Sequence, residues 1–128
     1  MKISTAVALV PLLLALCATA EAACVYPQAP QSLPNGATSA EDQMKAANAE
    51  VVAYRNTVQE TYLPCLEQEK NDAIAALDNM DPEYSTKKAT IEAIHAKRHN
   101  AALDELQAVA MRWNGEIKAF KEKDKPKK

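Results

Sequence analysis

The sequence predicts an all-α fold: a long antiparallel helical hairpin, kinked at Pro64, with an extended proline-rich N-terminal arm held against it by one disulfide. Three observations lead to this prediction. Two apolar stripes recur at the spacing of an α-helix, prolines cluster before the first stripe, and a pair of cysteines is placed to join arm and helix. The 128 residues include only two glycines, whereas helix-favouring Ala, Glu, Lys, Gln and Leu are abundant.

Residues 1–22 have the pattern of a cleaved signal peptide. A basic start and an apolar run at residues 6–18 are followed by two small-residue cleavage patterns, Ala18-Thr19-Ala20 and Ala20-Glu21-Ala22. The run is short for a transmembrane helix, and Pro11 interrupts it. We expect cleavage after Ala22, with Ala20 as the alternative. The mature chain is then periplasmic or secreted and has no integral membrane segment.

Cleavage leaves two cysteines, Cys24 and Cys65, in an oxidising compartment. An even pair in a small exported chain usually forms a disulfide, and an intermolecular bridge is the alternative. A redox-active role is less favoured, because neither cysteine has a second cysteine close by in the sequence. We therefore expect Cys65 to be a covalent attachment point for the arm.

The arm, residues 23–38, contains Pro27, Pro30 and Pro34 and no helical period, which favours an extended and partly polyproline II conformation. The fifteen steps from Cys24 to Ser39 span about 46 Å in that conformation. Going back along a helix, the twenty-six steps from Ser39 to Cys65 span about 39 Å. The arm is therefore long enough to turn at Asn35-Gly36, fold back along the first helix and cover its apolar groove with Val25, Tyr26 and Leu33.

The helical domain, residues 39–123, is predicted to begin with Ser39 as N-cap and two acids in the first turn. The first stripe keeps its phase across Pro64, and no turn-forming residues surround this proline, so it indicates a kink rather than a chain reversal. The members of the stripe are Met44, Ala47, Val51, Tyr54, Val58, Tyr62, Cys65, Leu66, Ala73, Leu77 and Met80.

The chain is predicted to reverse at residues 78–85, where Asp81 is a suitable N-cap and Pro82 suits the first helical position. The second stripe passes through Asn114-Gly115, so we expect one continuous helix and then a basic disordered tail at residues 124–128. The members of this stripe are Tyr84, Ile91, Ile94, His95, Ala102, Leu106, Val109, Trp113, Ile117 and Phe120. Charge agrees with pairing, because residues 41–83 hold ten acids and three bases and residues 84–128 hold six acids and eleven bases.

Several spaced residues resemble a family of small exported proteins of Gram-negative bacteria. The resemblance spans nearly the whole mature chain and implies export and one disulfide, but it brings no activity and no functional residues. It is carried by Cys24-x-x-Pro27-x-x-Pro30-x-x-x-Pro34-x-Gly36, Met44, Val52-x-Tyr54, Tyr62-x-x-Cys65-Leu66 and residues 98–121.

The most distinctive polar feature is Glu92-x-x-His95 with His99 four residues further on. These side chains share one flank of a helix, and a hairpin turning at residues 80–81 brings Glu69 opposite Glu92. Three interpretations follow: a buried Glu–His or Glu–Arg98 pair that fixes helix register, a solvent-facing arrangement, or a metal or pH-sensing site. The candidate metal ligands are Glu69, Glu92, His95 and His99.

The composition argues against most enzymes. Glycine-rich phosphate loops and nucleophile elbows need glycines that this chain lacks, and no nucleophile–base set is apparent. The sequence therefore predicts a non-enzymatic protein without a cofactor that binds another exported protein or a second copy of itself, as an adaptor, inhibitor or holdase. Export argues against nucleic acid as a partner. A metal-binding or pH-responsive module is the alternative function.

Overall fold

The structure, a computed structural model, describes residues 23–123 and residue 125. The predicted signal peptide and most of the basic tail lie outside the described residues. Within them the chain is all-α, as predicted: α1 (Glu41–Asn56) leads into a π-helical segment (Thr57–Tyr62), which is followed by α2 (Leu63–Ala75) and α3 (Tyr84–Lys123). No strand forms in this part of the chain. None of the described helices is long and apolar enough to cross a membrane.

The π segment ends at Tyr62, two residues before the proline that the sequence singles out. The backbone N–H of Leu63 donates to the carbonyl of Val58, five residues earlier. Buried residues recur every four positions through this region, at Tyr54, Val58, Tyr62 and Leu66. In a regular α-helix each such step would advance about 40° around the axis, and the wider π turn offsets this drift. The kink itself stays a prediction.

Both helical boundaries near the turns differ from the predicted ones. Ala40, not Ser39, is the N-cap residue of α1, because its carbonyl accepts the first helical hydrogen bond, from the N–H of Met44, while Ser39 belongs to the preceding turn through its own bond to Asn35. At the other end α2 stops at Ala75, and Met80 is 84% exposed instead of joining the core. Aspartate side chains there bind backbone N–H groups and compete with helical hydrogen bonds.

α3 begins two residues later than predicted. Its first residue is Tyr84, whose N–H closes a turn with the carbonyl of Asp81, and Glu83 takes the N-cap position because its carbonyl accepts the N–H of Lys87. Asp81 and Pro82 therefore belong to the preceding turn, where the carboxylate of Asp81 accepts the N–H of Glu83 at 2.7 Å and binds Lys87 at 2.6 Å. The helix then runs for 40 residues and includes Gly115, so the predicted continuity through Asn114-Gly115 is confirmed.

The core consists of two clusters that lie between α3 and the earlier helices. The larger cluster includes the fully buried Val58 and Val109, and the smaller one is formed by Met44, Ala47 and Trp113. Val51 packs against both. The predicted stripes therefore supply almost the whole core. The prediction that Ile94 lies on the inner face is wrong. Its side chain is 55% exposed, because it lies about 100° around the helix from its neighbour His95.

The disulfide between Cys24 and Cys65 is present, and it closes a sequence separation of 41 residues. From this bond the arm packs along the helices. The ring of Tyr26 meets that of Tyr62 edge to face at 4.9 Å, and its hydroxyl lies 2.6 Å from that of Tyr54. Leu33 packs against the smaller cluster. The arm therefore covers apolar surface of α1 and the π segment.

One predicted arm contact is wrong. Val25 is 86% exposed, and Ala29, which the sequence analysis did not select, is buried in the larger cluster. Residues three apart share a face in a polyproline II helix, so Tyr26 and Ala29 face the helices while Val25 and Gln28 point away. The three-residue period of an extended arm could therefore have identified Ala29 as an inward-facing residue.

Candidate functional site

The four predicted metal candidates lie on α2 and α3, but they do not come together. Glu69 forms an ion pair with Arg98, and Glu92 lies 3.9 Å from Lys88 on the surface of α3. The imidazole rings of His95 and His99 are neighbours, with centroids 5.8 Å apart. Among the described residues no three His, Cys, Asp or Glu side chains are arranged to hold a metal ion.

The carboxylate that does approach His95 is Glu67, which sequence reasoning missed. Its Oε2 lies 3.3 Å from Nε2 of His95, but the two groups are not aligned for a hydrogen bond, so this buried nitrogen has no partner within the described part of the chain. A hydrogen bond from Lys70 holds the pKa of Glu67 below its ordinary value. The predicted turn at residues 80–81, which brings Glu69 opposite Glu92, also brings Glu67 within one residue of the position opposite His95.

Glu69 and Arg98 join three elements at the disulfide. Their ion pair links α2 to α3, the N–H of Cys24 donates to Glu69 at 3.4 Å, and Arg98 donates to the carbonyl of Cys24 at 3.4 Å. The predicted Glu–Arg98 pair therefore forms, although both side chains are partly exposed rather than buried. An exposed pair of this kind contributes about 0.2–1 kcal/mol, so its main effect is to orient the start of the arm.

A second region with binding potential is a groove between α1 and α3, here called the open groove. Its volume is about 340 Å³. It is lined by Asn48, Val51, Val52, Arg55, Leu106, Val109, Ala110, Trp113, Asn114 and Ile117, none of which belongs to the arm. The floor is apolar, and the indole N–H of Trp113 donates to the side chain of Asn48 at 3.2 Å.

The open groove and the arm lie on different flanks of α3. The arm reaches Glu116, whose carboxylate accepts the N–H of Gly36 at 2.7 Å. Asn114 lines the groove and precedes Glu116 by two residues, which places it about 200° away around the helix. The arm therefore covers one side of the contact between α1 and α3 and leaves the groove side open.

The open groove continues along α3 into a shallower stretch that also contains Asn114 and Ile117. Lysines dominate this stretch, which is lined in addition by Lys118, Lys121, Glu122 and Lys125. Together the two stretches present a hydrophobic floor bordered by positive charge, the type of surface that holds an amphipathic segment of opposite charge.

Sequence reasoning did not identify the open groove. The stripes correctly placed Val51, Leu106 and Ile117 on the inner faces, but a stripe does not tell which flank of a helix pair an arm will cover. The flank that the arm covers depends on where Cys65 and Gly36 lie relative to the contact between α1 and α3, and these positions become visible only in three dimensions.

Comparison of the chain with protein-family models, with curated proteins and with solved structures found no significant match. The similarity to small exported proteins of Gram-negative bacteria therefore stays an expectation drawn from residues, as does the signal peptide.

Proposed function

We propose that this protein is an exported, non-enzymatic helical hairpin, kinked at Pro64, that acts in the periplasm or outside the cell by binding another protein as an adaptor, inhibitor or holdase. The hairpin is supported by the order of contacts between its helices. Glu67 approaches His95, Asn48 binds Trp113, and the carbonyl of Ser39 accepts a hydrogen bond from Lys123, so earlier residues meet later ones. The π segment beside Pro64 supports the kink.

The observation that carries the binding function is the open groove. Val51, Val52, Leu106 and Ile117 remain partly exposed there, although the arm covers the apolar surface on the other flank. Grooves between helices with apolar floors are a recurrent way of binding amphipathic segments, since the bound segment removes apolar area from water. The groove lies where two rigid helices meet, so little ordering is needed before binding.

The proposal is tested by crosslinking in intact cells, followed by affinity capture of the processed protein and mass spectrometry. We expect one stoichiometric exported partner for an adaptor or inhibitor, and a range of unrelated exported proteins for a holdase. Intact mass of the captured protein also reports processing, since cleavage after Ala22 leaves Ala23 as the first residue. An absence of any crosslinked protein would contradict the binding function.

A metal-binding or pH-responsive module remains the second candidate function, because Nε2 of His95 is buried without a hydrogen-bond partner next to Glu67. Under this hypothesis Zn²⁺ or Cu²⁺ binds with micromolar affinity or better and raises Tm, and His95→Ala abolishes both effects. Lys97→Ala, two residues along on an exposed face, is the matched control. A titration without heat of binding or change in Tm would eliminate the metal-binding form of this hypothesis.

A further inference from the structure

The open groove and its continuation form one elongated surface, since both stretches contain Asn114 and Ile117. From Leu106 to Lys121 the surface follows α3 for fifteen residue steps, about 22 Å or four helical turns. A helix of similar length can therefore lie along it and place apolar side chains at i, i+3, i+4 and i+7 on the floor.

The charge around this surface has one dominant sign. Arg55 borders the groove on α1, and Lys118, Lys121 and Lys125 border it on the side of α3. Glu122 is the one carboxylate among the lining residues that the structure describes. A segment that buries apolar groups on the floor therefore brings its flanking side chains close to four cations, and carboxylates in those positions are favoured.

We propose that the open groove binds an acidic amphipathic helix of another protein, an inference that rests on the proposed binding function and adds the chemistry of the partner. A second copy fits less well. Among the described residues, the most exposed large hydrophobic side chains lie on the arm, the turn and α3, and none lies on α1, the π segment or α2. Outside the groove itself, the acidic helices of a second copy therefore present no strongly exposed large apolar side chain to bind it. Pairing of two copies groove to groove would bring their two basic rims against each other.

Two probe peptides test the charge of the partner. Each has eighteen residues with Leu at the i, i+3, i+4 and i+7 positions, and the remaining positions carry mainly Glu in one peptide and Lys in the other. We expect the processed, disulfide-bonded protein to bind the Glu peptide at least tenfold more tightly than the Lys peptide, in fluorescence anisotropy at low salt. The difference should shrink as ionic strength rises, because salt screens exposed charges. Equal affinity for the two peptides would overturn the proposal.

Variants of equal charge locate the site. Lys118→Glu/Lys121→Glu reverses the rim and is expected to weaken binding of the Glu peptide at least tenfold. Lys88→Glu/Lys97→Glu makes the same change in net charge at positions of α3 that precede its first groove residue, Leu106, by at least nine residues, and should leave binding within about twofold. Ala110→Trp fills the groove without removing a core side chain and should also prevent binding. Circular dichroism confirms folding of each variant, and equal losses in both double variants would refute the assignment of the site.

Other occupants give different results. Binding of vesicles of anionic phospholipid without binding of the Glu peptide would replace the partner helix with a lipid surface. Sedimentation as a dimer that Ala110→Trp dissociates would identify a second copy as the occupant. Either result overturns the proposal.

A photocrosslinking residue placed at Ala110 or at Ala93 separates this inference from the proposed function. Ala110 lines the open groove, and Ala93 lies on an outward patch of α3. Crosslinking in cells from position 110 to an acidic helix supports both the binding function and the groove as its site. A partner crosslinked from Ala93 alone keeps the binding function and rejects the groove as its site. Crosslinking from neither position also rejects the groove as the site, and the whole-protein capture experiment then decides the binding function.

Discussion

The two glycines, Gly36 and Gly115, have different environments. A Cβ atom on Gly36 would overlap the carbonyl oxygen of Glu116 and lie 2.8 Å from its carbonyl carbon and 2.9 Å from the backbone nitrogen of Phe120. A Cβ atom on Gly115, within α3, would meet nothing within 4 Å. Neither glycine has a positive φ. Gly36 is therefore required by the close approach of arm and α3 rather than by backbone conformation.

This contrast gives a matched pair of substitutions. Gly36→Ala should lower the free energy of unfolding by about 1–3 kcal/mol, because backbone atoms of α3 must shift to admit the methyl group. Gly115→Ala should raise it by about 0.5–1 kcal/mol, because alanine loses less conformational entropy in a helix. Urea denaturation followed by far-UV circular dichroism measures both. Equal effects of the two substitutions would show that the arm does not press on α3 at Gly36.

The phenols of Tyr26 and Tyr54 give a prediction at alkaline pH. Burial is the main cause that raises the pKa of both, and hydrogen bonds to Tyr54 and Glu105 raise that of Tyr26 further. A raised pKa means that the folded state favours the neutral phenol. The stability gained from burying the two neutral phenols is therefore complete below the unfolded-state pKa of about 10 and is lost as pH rises above that value.

We therefore expect Tyr26→Phe to flatten the alkaline part of the stability profile. The wild-type protein should lose more unfolding free energy between pH 8 and pH 11 than the variant does. Tyr84→Phe removes a phenol outside this pair and is the control. Urea denaturation at each pH provides the measurement, with absorbance at 295 nm reporting ionisation. Identical pH profiles for the wild type and Tyr26→Phe would contradict the role of this pair.

At the scale of elements, the helices were predictable and the π segment was not. Apolar periodicity located α3 and most of its inner face, because burial imposes a helical repeat on the sequence. The four-residue repeat through Val58 and Tyr62 is compatible with either α-helix or π-helix over so few turns, so the sequence pattern could not distinguish them.

The arm shows the same limit. Its length and the disulfide followed from residue counts, since a chain of fifteen steps can return to Cys65. Which arm residues face inward depends on the rotation of an extended chain about its axis, and the observed rotation buries Ala29 and exposes Val25. The candidate site was affected in a similar way, because Glu67 and Glu69 are two positions apart and only one approaches His95.

The disulfide is predicted to hold chiefly the first part of the arm. Replacing both cysteines, as Cys24→Ser/Cys65→Ser, should lower the free energy of unfolding by about 4 kcal/mol, because the unfolded chain regains the entropy of a 41-residue loop. The hydrogen bond of Gly36 to Glu116 does not depend on either cysteine, so we expect it to persist in this variant. Amide hydrogen exchange should therefore accelerate strongly at position 24 and less at Gly36.

Reduction supplies the control for this prediction. A reductant should reproduce the loss of stability in the wild-type protein and should leave the double-serine variant unchanged. Uniform acceleration of exchange along the whole arm would indicate that the disulfide, rather than the contacts at Gly36, also holds the distal part of the arm.

At the scale of the whole molecule, the core is thin, and few buried side chains connect one part of the fold with another. The two clusters lie at different heights along α1 and α3, and Val51 is the partly buried side chain that packs against both. A helix pair of this kind is stable only if its parts support one another. Cooperativity is therefore a property that the arm, the disulfide and both clusters confer together.

Trp113, the single tryptophan, tests this cooperativity because it belongs to the smaller cluster, whereas far-UV circular dichroism reports all the helices. We expect the two signals to follow one denaturation curve. Asn48→Ala removes the hydrogen bond to the indole N–H and should shift both curves together by about 0.5–1.5 kcal/mol. Asn100→Ala, the same change on the exposed face of α3, should not destabilise the protein. A fluorescence transition that precedes the loss of helix would show that the smaller cluster, which lies beside the open groove, unfolds separately. The shape of the groove would then change independently of the disulfide-bonded end of the molecule.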